Sequence, residues 1–215
     1  TVFSRLNYLN AMVENRLEEL ARSQAGLSCH LRGHGMVFRA SVLERVPWSA
    51  HGAVEDQDML VRLVSAGIRV HWLEHARVRS VLPETARAAK IQRQRWAGGR
   101  SEILRRATEV LWKRYRTHRD WVALNLLVDL ALPSHAVQLA LVAAAIAVSA
   151  LCGLDSWQFV AATALVPLYL AYFLVGNILA GTPPRAYLTI IWAPFFIAWR
   201  TWIYFSSLGG VKRWR

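Results

Sequence analysis

The sequence predicts an α/β part followed by an α-helical membrane region, and three features of the chain predict it. In the first 120 residues, segments with apolar side chains at helical spacing are joined by a segment of strand-like alternation. Residues 1–120 hold 21 Lys or Arg and 12 Asp or Glu, whereas residues 121–215 hold only 5 and 2. The second part also contains apolar runs long enough to cross a bilayer. We therefore expect two domains, residues 1–120 and residues 121–215.

The first elements are a helix and a glycine-containing loop. Residues 4–24 carry leucine, methionine and valine at helical spacing, which predicts an amphipathic helix. In the loop at 26–40, Gly33 and Gly35 bracket His34. A Gly-x-Gly permits a tight turn or a close approach of the backbone to a ligand. The third glycine of a dinucleotide fingerprint is missing, and a histidine on such a loop is more often structural than functional.

Two helices are predicted after this loop. Ser41 is expected to cap a short helix, Val42–Arg45, which Pro47 ends. The next helix carries its apolar residues, from Met59 onward, on one face, and Gly67 is a typical C-terminal stop.

Three carboxylates, those of Glu55, Asp56 and Asp58, crowd the start of this second helix. Acidic residues at a helix N-terminus interact favourably with the helix dipole and usually indicate only that. A carboxylate in this position can also accept a proton from a hydroxyl group. The residues by themselves leave both interpretations open.

Residues 68–82 alternate apolar and polar side chains, which predicts one or two β-strands. The segment also contains His71, Glu74 and His75 at the H-x-x-E-H spacing of one class of zinc peptidases. That motif needs a helix to bring its two histidines together, whereas strand alternation directs His71 and Glu74 to opposite faces. Zinc chemistry is therefore not predicted.

A basic helix follows, and its side chains suit a sugar nucleotide. Gln92, Arg95 and Trp96 lie at i, i+3 and i+4, so they project from one face. An amide and a guanidinium suit a diphosphate, and an indole suits the apolar face of a sugar ring. A basic helix whose tryptophan simply packs or lies at a membrane surface is the alternative. Gly98-Gly99 is expected to interrupt the helix.

The membrane region is predicted from the apolar runs. Residues 134–152 and 157–180 are expected to span the bilayer. A third apolar stretch, 187–208, contains Arg200 near its middle, where a charge is costly, and a plain span would place the basic C-terminal tail outside. We expect it to be an interfacial or re-entrant helix, with the soluble part on the cytoplasmic side of the inner membrane.

The order of these motifs resembles the family 2 glycosyltransferases of the membrane-bound polysaccharide synthase type, such as cellulose, chitin and hyaluronan synthases. The resemblance rests on Glu55-Asp56, then Gln92-x-x-Arg95-Trp96, then membrane helices, and V-R-S-V-L-P-E-T at 78–85 is also similar. It implies that residues 1–120 are the C-terminal part of a GT-A catalytic domain. It implies inverting transfer from a nucleoside-diphosphate sugar, with Asp56 as general base and Glu55 beside it.

The same resemblance implies that Gln92, Arg95 and Trp96 contact phosphate and sugar, and that Gly33, His34 and Gly35 lie at the acceptor pocket. The usual threonine before Glu-Asp is Val54 here. The family's Asp-x-Asp metal motif is absent apart from Asp56-Gln57-Asp58, which overlaps the base motif. We therefore expect the ligands of Mg2+ or Mn2+ upstream of this sequence, and a C-terminal fragment that is inactive by itself.

Other functions fit parts of the sequence. A basic membrane anchor or scaffold would explain charge and hydropathy, but it treats the two motifs as coincidence. Nucleic-acid binding is not expected, because the basic residues adjoin membrane spans and no recognition motif is visible. Within the enzyme class, transfer to a lipid-phosphate acceptor is the alternative to transfer to a glycan. The expected partners are thus a nucleoside-diphosphate sugar, a glycan or lipid-linked acceptor, and the lipid bilayer.

Overall fold

The structure is a computed structural model that describes residues 2–33, 35–49, 54–76, 78 and 85–207. The chain divides into two compact units. The apolar unit comprises Thr1–Glu18 and Pro133–Phe205, and the polar unit comprises Glu19–Leu132 and Ser206–Arg215. Each unit has its own hydrophobic cluster.

The described residues form helices joined by connections of differing length. A π-helical segment, Val13–Glu18, lies between α1 and α2, and a 3-10 segment, Leu188–Trp192, lies between α9 and α10. The α-helices are α1 (Val2–Met12), α2 (Glu19–Gln24), α3 (Ala40–Arg45), α4 (Glu55–Ser65), α5 (Ala86–His118), α6 (Trp121–Ala131), α7 (His135–Ala150), α8 (Trp157–Leu179), α9 (Pro184–Tyr187) and α10 (Ala193–Ser207).

No β-strand occurs in the part of the chain that the structure describes, so the α/β prediction is not confirmed. The described residues of the 68–82 segment form a loop, with a turn at Glu74 and His75. Only two hydrogen bonds link Val70 to the loop before α3 among these residues: Cys29 N donates to the Val70 oxygen (2.9 Å), and Val70 N donates to Ser28 Oγ (3.1 Å). A segment with alternating apolar and polar side chains becomes a β-strand only when it is hydrogen-bonded to a neighbouring strand along its length. Two hydrogen bonds at a single residue do not form such a ladder.

Most helix predictions are confirmed, and one helix start is wrong. The N-terminal helix is present as α1, the π-helical segment and α2. Gly67, with φ of 77°, follows the end of α4 as expected. Ser41 does not cap α3, because that helix begins at Ala40 and its N-cap, Arg39, makes no side-chain capping bond.

The core of the polar unit is built on α4. One face of α4 is buried against α5 and α6, and each large apolar side chain buried in this way contributes about 1.5–3 kcal/mol. This packing fixes the direction of α4 and thereby the position of the carboxylates at its start. The buried residues of the three helices are Met59, Leu60, Leu63, Val64, Ile103, Ala107, Leu111, Val122, Ala123, Leu126 and Leu130.

The helix α5 runs through Gly98-Gly99 without interruption, so the predicted break is wrong. Thr85 caps the helix by accepting a hydrogen bond from Ala88 N at 3.2 Å. A Cβ atom at Gly99 would lie 2.5 Å from Cγ2 of Val54. Glycine is therefore present here because another chain segment packs against the helix. The local cost of a helical glycine, about 1 kcal/mol, is small beside the packing of a 33-residue helix.

The apolar unit contains helices suited to a membrane. Among the described residues, Trp157–Leu179 and Pro184–Ser206 are each 23 residues long and apolar enough to cross a bilayer. Helix α7 has 16 residues and reaches that length only if α6 and α7 act as one broken span. The expected span at 134–152 and the interfacial placement of 187–208 stay predictions.

Polar side chains within the apolar unit pair with one another. Glu18 accepts a hydrogen bond from the Tyr172 hydroxyl and lies 2.7 Å from Nε2 of His135. Ionisable residues among apolar helices are costly unless they are paired in this way.

Candidate active site

The loop before α3 meets the start of α4 at Asp56. The backbone N–H of Gly33 donates a 3.0 Å hydrogen bond to Oδ2 of Asp56, and Oδ1 accepts one of 2.8 Å from Gln57 N. A Cβ atom at Gly33 would lie 3.6 Å from Oδ2 of Asp56 and 3.7 Å from Oε1 of Glu55. The structure therefore brings three of the predicted residues, Gly33, Glu55 and Asp56, to one place.

Gly35 closes the turn of this loop. Its N–H donates to the Arg32 oxygen at 2.9 Å, and a Cβ atom at position 35 would lie 2.9 Å from Cγ2 of Val78. A side chain at this position would therefore force Val78 away. The turn predicted for the Gly-x-Gly is thus present, and the close approach of the backbone to a ligand stays a prediction. His34 lies outside the described residues.

The predicted sugar and phosphate contacts lie on α5. Gln92 is half-buried and Arg95 is exposed. Trp96 is 44% exposed, so its indole is not part of the core. Within the described residues, none of these three side chains makes a hydrogen bond, an ion pair or a ring contact.

A packing contact links the start of α4 to this face of α5. Val54, the residue before Glu55, packs on Gly99. Gly99 follows Arg95 by four residues and Trp96 by three, so both lie on the same side of the helix as Gly99, about 6 Å and about 4.5 Å from it along the axis. The acidic start of α4 and the Arg95–Trp96 pair therefore both adjoin the contact between Val54 and Gly99. The catalytic and binding roles of these residues stay predictions.

The described residues do not form a metal site. They contain no group of three or more His, Cys, Asp or Glu side chains that could hold a metal ion. Glu55, Asp56 and Asp58 adjoin one another in sequence without forming such a group.

A charged cluster in the polar unit was not anticipated from the sequence. His30 lies between two carboxylates, with Nδ1 at 2.8 Å from Oε1 of Glu19 and Nε2 at 2.9 Å from Oδ2 of Asp129. Glu19 is fully buried and also accepts bonds from His30 N (2.9 Å) and from Arg32 NH2 (3.0 Å). Arg22 donates to Asp129 at 2.5 Å.

The two carboxylates hold His30 in its charged form. Burial opposes protonation, but the hydrogen bonds and charges of Asp129 and Glu19 outweigh it and raise the pKa of His30 to about 9. Burial likewise opposes ionisation of Glu19, and the His30 hydrogen bond and the charges of His30 and Arg32 keep its pKa below the ordinary value. The cluster anchors the loop whose next turn carries Gly33. The sequence signal for it is the presence of Asn125 and Asp129 inside the mostly apolar segment 121–132.

Comparisons with known proteins agree with one enzyme family. The model of the family described as Glycosyl transferase family group 2 matches residues 11–207. A protein from Oryza sativa subsp. japonica named "Probable glucomannan 4-beta-mannosyltransferase 4" is 33% identical over 93 residues, which are 40% of this chain and 17% of that protein. "Glucomannan 4-beta-mannosyltransferase 7" from Arabidopsis thaliana is 28% identical over 106 residues, 49% of this chain and 19% of that protein. The chain thus spans about a fifth of these relatives, and no solved structure matches it.

Proposed function

Because the chain belongs to glycosyl transferase family group 2, we propose that it carries the acceptor side of an inverting glycosyltransferase site. The reaction would move a sugar from a nucleoside-diphosphate sugar to an acceptor hydroxyl, in polysaccharide synthesis at the membrane. The observation that supports this proposal is the contact of Val54 with Gly99, since it sets Glu55-Asp56 beside the helix face of Arg95 and Trp96.

Asp56 is the proposed general base. Its Oδ2 is oriented by the Gly33 amide and its Oδ1 by the Gln57 amide, so the carboxylate is held at a defined position while remaining only half-buried. As the acceptor hydroxyl attacks the anomeric carbon, the carboxylate takes the hydroxyl proton. The carbon–oxygen bond to the diphosphate breaks, and the diphosphate leaves with the electron pair. Glu55 lies beside Asp56 at the same end of α4.

Gln92, Arg95 and Trp96 are the proposed substrate contacts. The guanidinium and amide groups of Arg95 and Gln92 can donate several hydrogen bonds to the departing diphosphate, which gains negative charge as the bond breaks. The indole of Trp96 offers a flat apolar surface on which the acceptor sugar can be oriented. The exposure of Arg95 and Trp96 on α5 is consistent with contact to a ligand.

The remaining partners belong to the proposal as well. We propose that the acceptor is a glycan or a lipid-linked molecule. We also propose that the helices long enough to cross a bilayer insert into the inner membrane and that the catalytic part faces the cytoplasm. The need for Mg2+ or Mn2+ stays a prediction. The relatives named as mannosyltransferases make a nucleoside-diphosphate mannose the first donor to test.

The test compares Asp56→Asn with Asp58→Asn in membranes from cells that express the protein from its natural gene. Both carboxylates lie in the first turn of α4, but only Asp56 contacts the Gly33 amide. We expect Asp56→Asn to lower transfer of radiolabelled sugar by about 100- to 10,000-fold while binding of the sugar nucleotide persists. Asp58→Asn should transfer at close to the wild-type rate.

Two results would reject the proposal. Retained turnover in Asp56→Asn would exclude Asp56 as the base. A membrane preparation that transfers no sugar from any nucleotide in a panel of labelled donors would favour the anchor or scaffold function instead. Product analysis in the same assay distinguishes a glycan acceptor from a lipid phosphate.

A further inference from the structure

A cavity of about 520 Å3 opens on the polar unit where the C-terminal ends of α4 and α5 meet the start of α6. This volume is within the range of small-molecule sites. Asp56 is at the opposite end of α4, which has 11 residues, so the cavity lies about 15 Å along the helix from the proposed catalytic base. It is therefore a separate feature.

Two arginines on the cavity wall are held in place by backbone oxygens. Arg114 NH1 donates to the Ser65 oxygen at 2.9 Å, and Arg69 NH1 donates to the Gly26 oxygen at 3.0 Å. A Cβ atom at Gly67 would lie 2.6 Å from NH2 of Arg114, so glycine makes the space for this guanidinium. Because their positions are fixed in advance, these groups lose little conformational entropy when they bind a ligand.

The cavity carries a positive charge. Asp120 is the acid among its lining residues, and its carboxylate accepts bonds from Arg114 Nε (2.6 Å) and from the N–H of Val122 (3.1 Å). Burial opposes ionisation of Asp120, but the hydrogen bond and charge of Arg114 hold its pKa below the usual value. Three arginines minus one aspartate leave a charge of +2 with His118 neutral.

Part of this charge is not balanced by any residue that the structure describes. Arg119, in the left-handed conformation at φ 52°, forms no ion pair or hydrogen bond with any residue that the structure describes. Next to it, the indole of Trp121 is 64% exposed and lines the same cavity. Guanidinium groups bind phosphate oxygens through paired donors, and an indole suits the carbon skeleton attached to a phosphate.

We propose that this cavity binds a phosphate group carried on a small polar molecule or on a lipid head group. Arg69 and Arg119 would meet the phosphate oxygens, Arg114 would complete the charged wall, and Trp121 would cover the attached carbon atoms.

The test uses the whole chain with two cavity variants and one matched control. Arg69→Gln and Arg119→Asn each remove one cavity charge, and asparagine tolerates the left-handed conformation of position 119. Arg116→Gln removes an equal charge from α5, but residue 116 lies between 114 and 118 in sequence and so points to the other side of the helix. Binding of inorganic phosphate and of glycerol 3-phosphate is measured by isothermal titration calorimetry in an uncharged detergent.

A second arm tests the lipid source. The protein is placed in nanodiscs of phosphatidylcholine with a minor share of phosphatidylglycerol, and the phosphatidylglycerol retained after purification is quantified by mass spectrometry. We expect each cavity variant to weaken binding about tenfold, as loss of one charge-assisted hydrogen bond does, and Arg116→Gln to leave it unchanged.

Binding in the first arm supports a soluble phosphate, and binding only in the second supports a lipid head group. The proposal is overturned if neither arm shows saturable binding, or if Arg116→Gln weakens binding as much as the cavity variants do. Binding that Arg69→Gln and Arg119→Asn leave unchanged would overturn it as well. Thermal unfolding of each variant confirms that it is folded, and Arg119→Asn removes no hydrogen bond or ion pair to a described residue.

Discussion

Two pairs of carboxylates in the polar unit have opposite surroundings. Glu19 and Asp129 are enclosed by cationic and N–H donors, and Glu19 is fully buried. Glu55 and Asp56 are half-buried at a helix start, and only Asp56 accepts hydrogen bonds from described residues, both from backbone amides. Carboxylates whose acceptor positions are filled by the protein stabilise structure, whereas carboxylates open to solvent can take part in proton transfer.

The two pairs are connected through one loop. His30 is held between Glu19 and Asp129, and three residues later the Gly33 amide reaches Asp56. The buried pair therefore positions a donor that orients the exposed pair. We therefore expect substitutions of Glu19 or Asp129 to act on folding, and substitutions in the Glu55-Asp56 pair to act on sugar transfer.

The largest expected effect on stability is that of Glu19→Gln. It leaves His30 and Arg32 with one buried counter-charge fewer, and breaking a buried pair of this kind costs about 3–5 kcal/mol. Glu55→Gln, at the half-buried site, is the matched control and should change the free energy of unfolding by less than about 1 kcal/mol. Urea denaturation of both proteins in detergent, followed by circular dichroism, measures the difference. If Glu19→Gln and Glu55→Gln lower the free energy of unfolding equally, the two carboxylate pairs do not differ in their contribution to stability.

The pH dependence of stability is the next effect. The pKa of His30 is raised from 6.5 to about 9 in the folded protein, so its contribution is fully present below pH 6.5 and is lost as the pH rises through 9. We expect the free energy of unfolding to fall by about 3 kcal/mol between pH 6.5 and 9.5. The variant His30→Gln should lack this slope. A wild-type protein whose stability is constant over the range would show that His30 is not charged.

The contact between α4 and α5 can be tested at Gly99. In Gly99→Ala the new methyl group would meet Cγ2 of Val54 at 2.5 Å, and overpacking of this kind costs about 1–3 kcal/mol. Sugar transfer should fall with it, because the start of α4 must shift. The double variant Val54→Ala/Gly99→Ala removes the clashing methyl groups and should recover much of both losses. If the double variant is no better than Gly99→Ala, the contact does not set the position of α4.

A small effect on folding, like that of Glu55→Gln, is expected for Asp56→Asn, the variant expected to lose transfer. Its side-chain oxygen can still accept from the Gly33 amide, so the free energy of unfolding should change by no more than about 1 kcal/mol. Measured beside Glu19→Gln in the same denaturation series, it separates loss of chemistry from loss of fold. A destabilisation as large as that of Glu19→Gln would assign Asp56 a structural role.

Local patterns predicted the helices well where a tertiary contact did not override them. The apolar face of α4 and its stop at Gly67 follow from spacing and from the conformational freedom of glycine. The expected break at Gly98-Gly99 is wrong because a glycine pair signals either a helix end or a close approach, and only the neighbour, Val54, decides which. The strand expected over 68–82 lacks a paired ladder among the described residues, and alternation cannot supply the partner.

By itself, the sequence determined the uneven distribution of charge, the helical faces, and the two motifs that resemble a glycosyltransferase, because these depend on residues near one another in the chain. The tertiary structure decided which charges meet. His30 and Asp129 are 99 residues apart in sequence, and the contact of Val54 with Gly99 joins two helices that no local periodicity relates. Such pairings arise from the packing of whole helix faces, whose combined burial outweighs any single residue's preference.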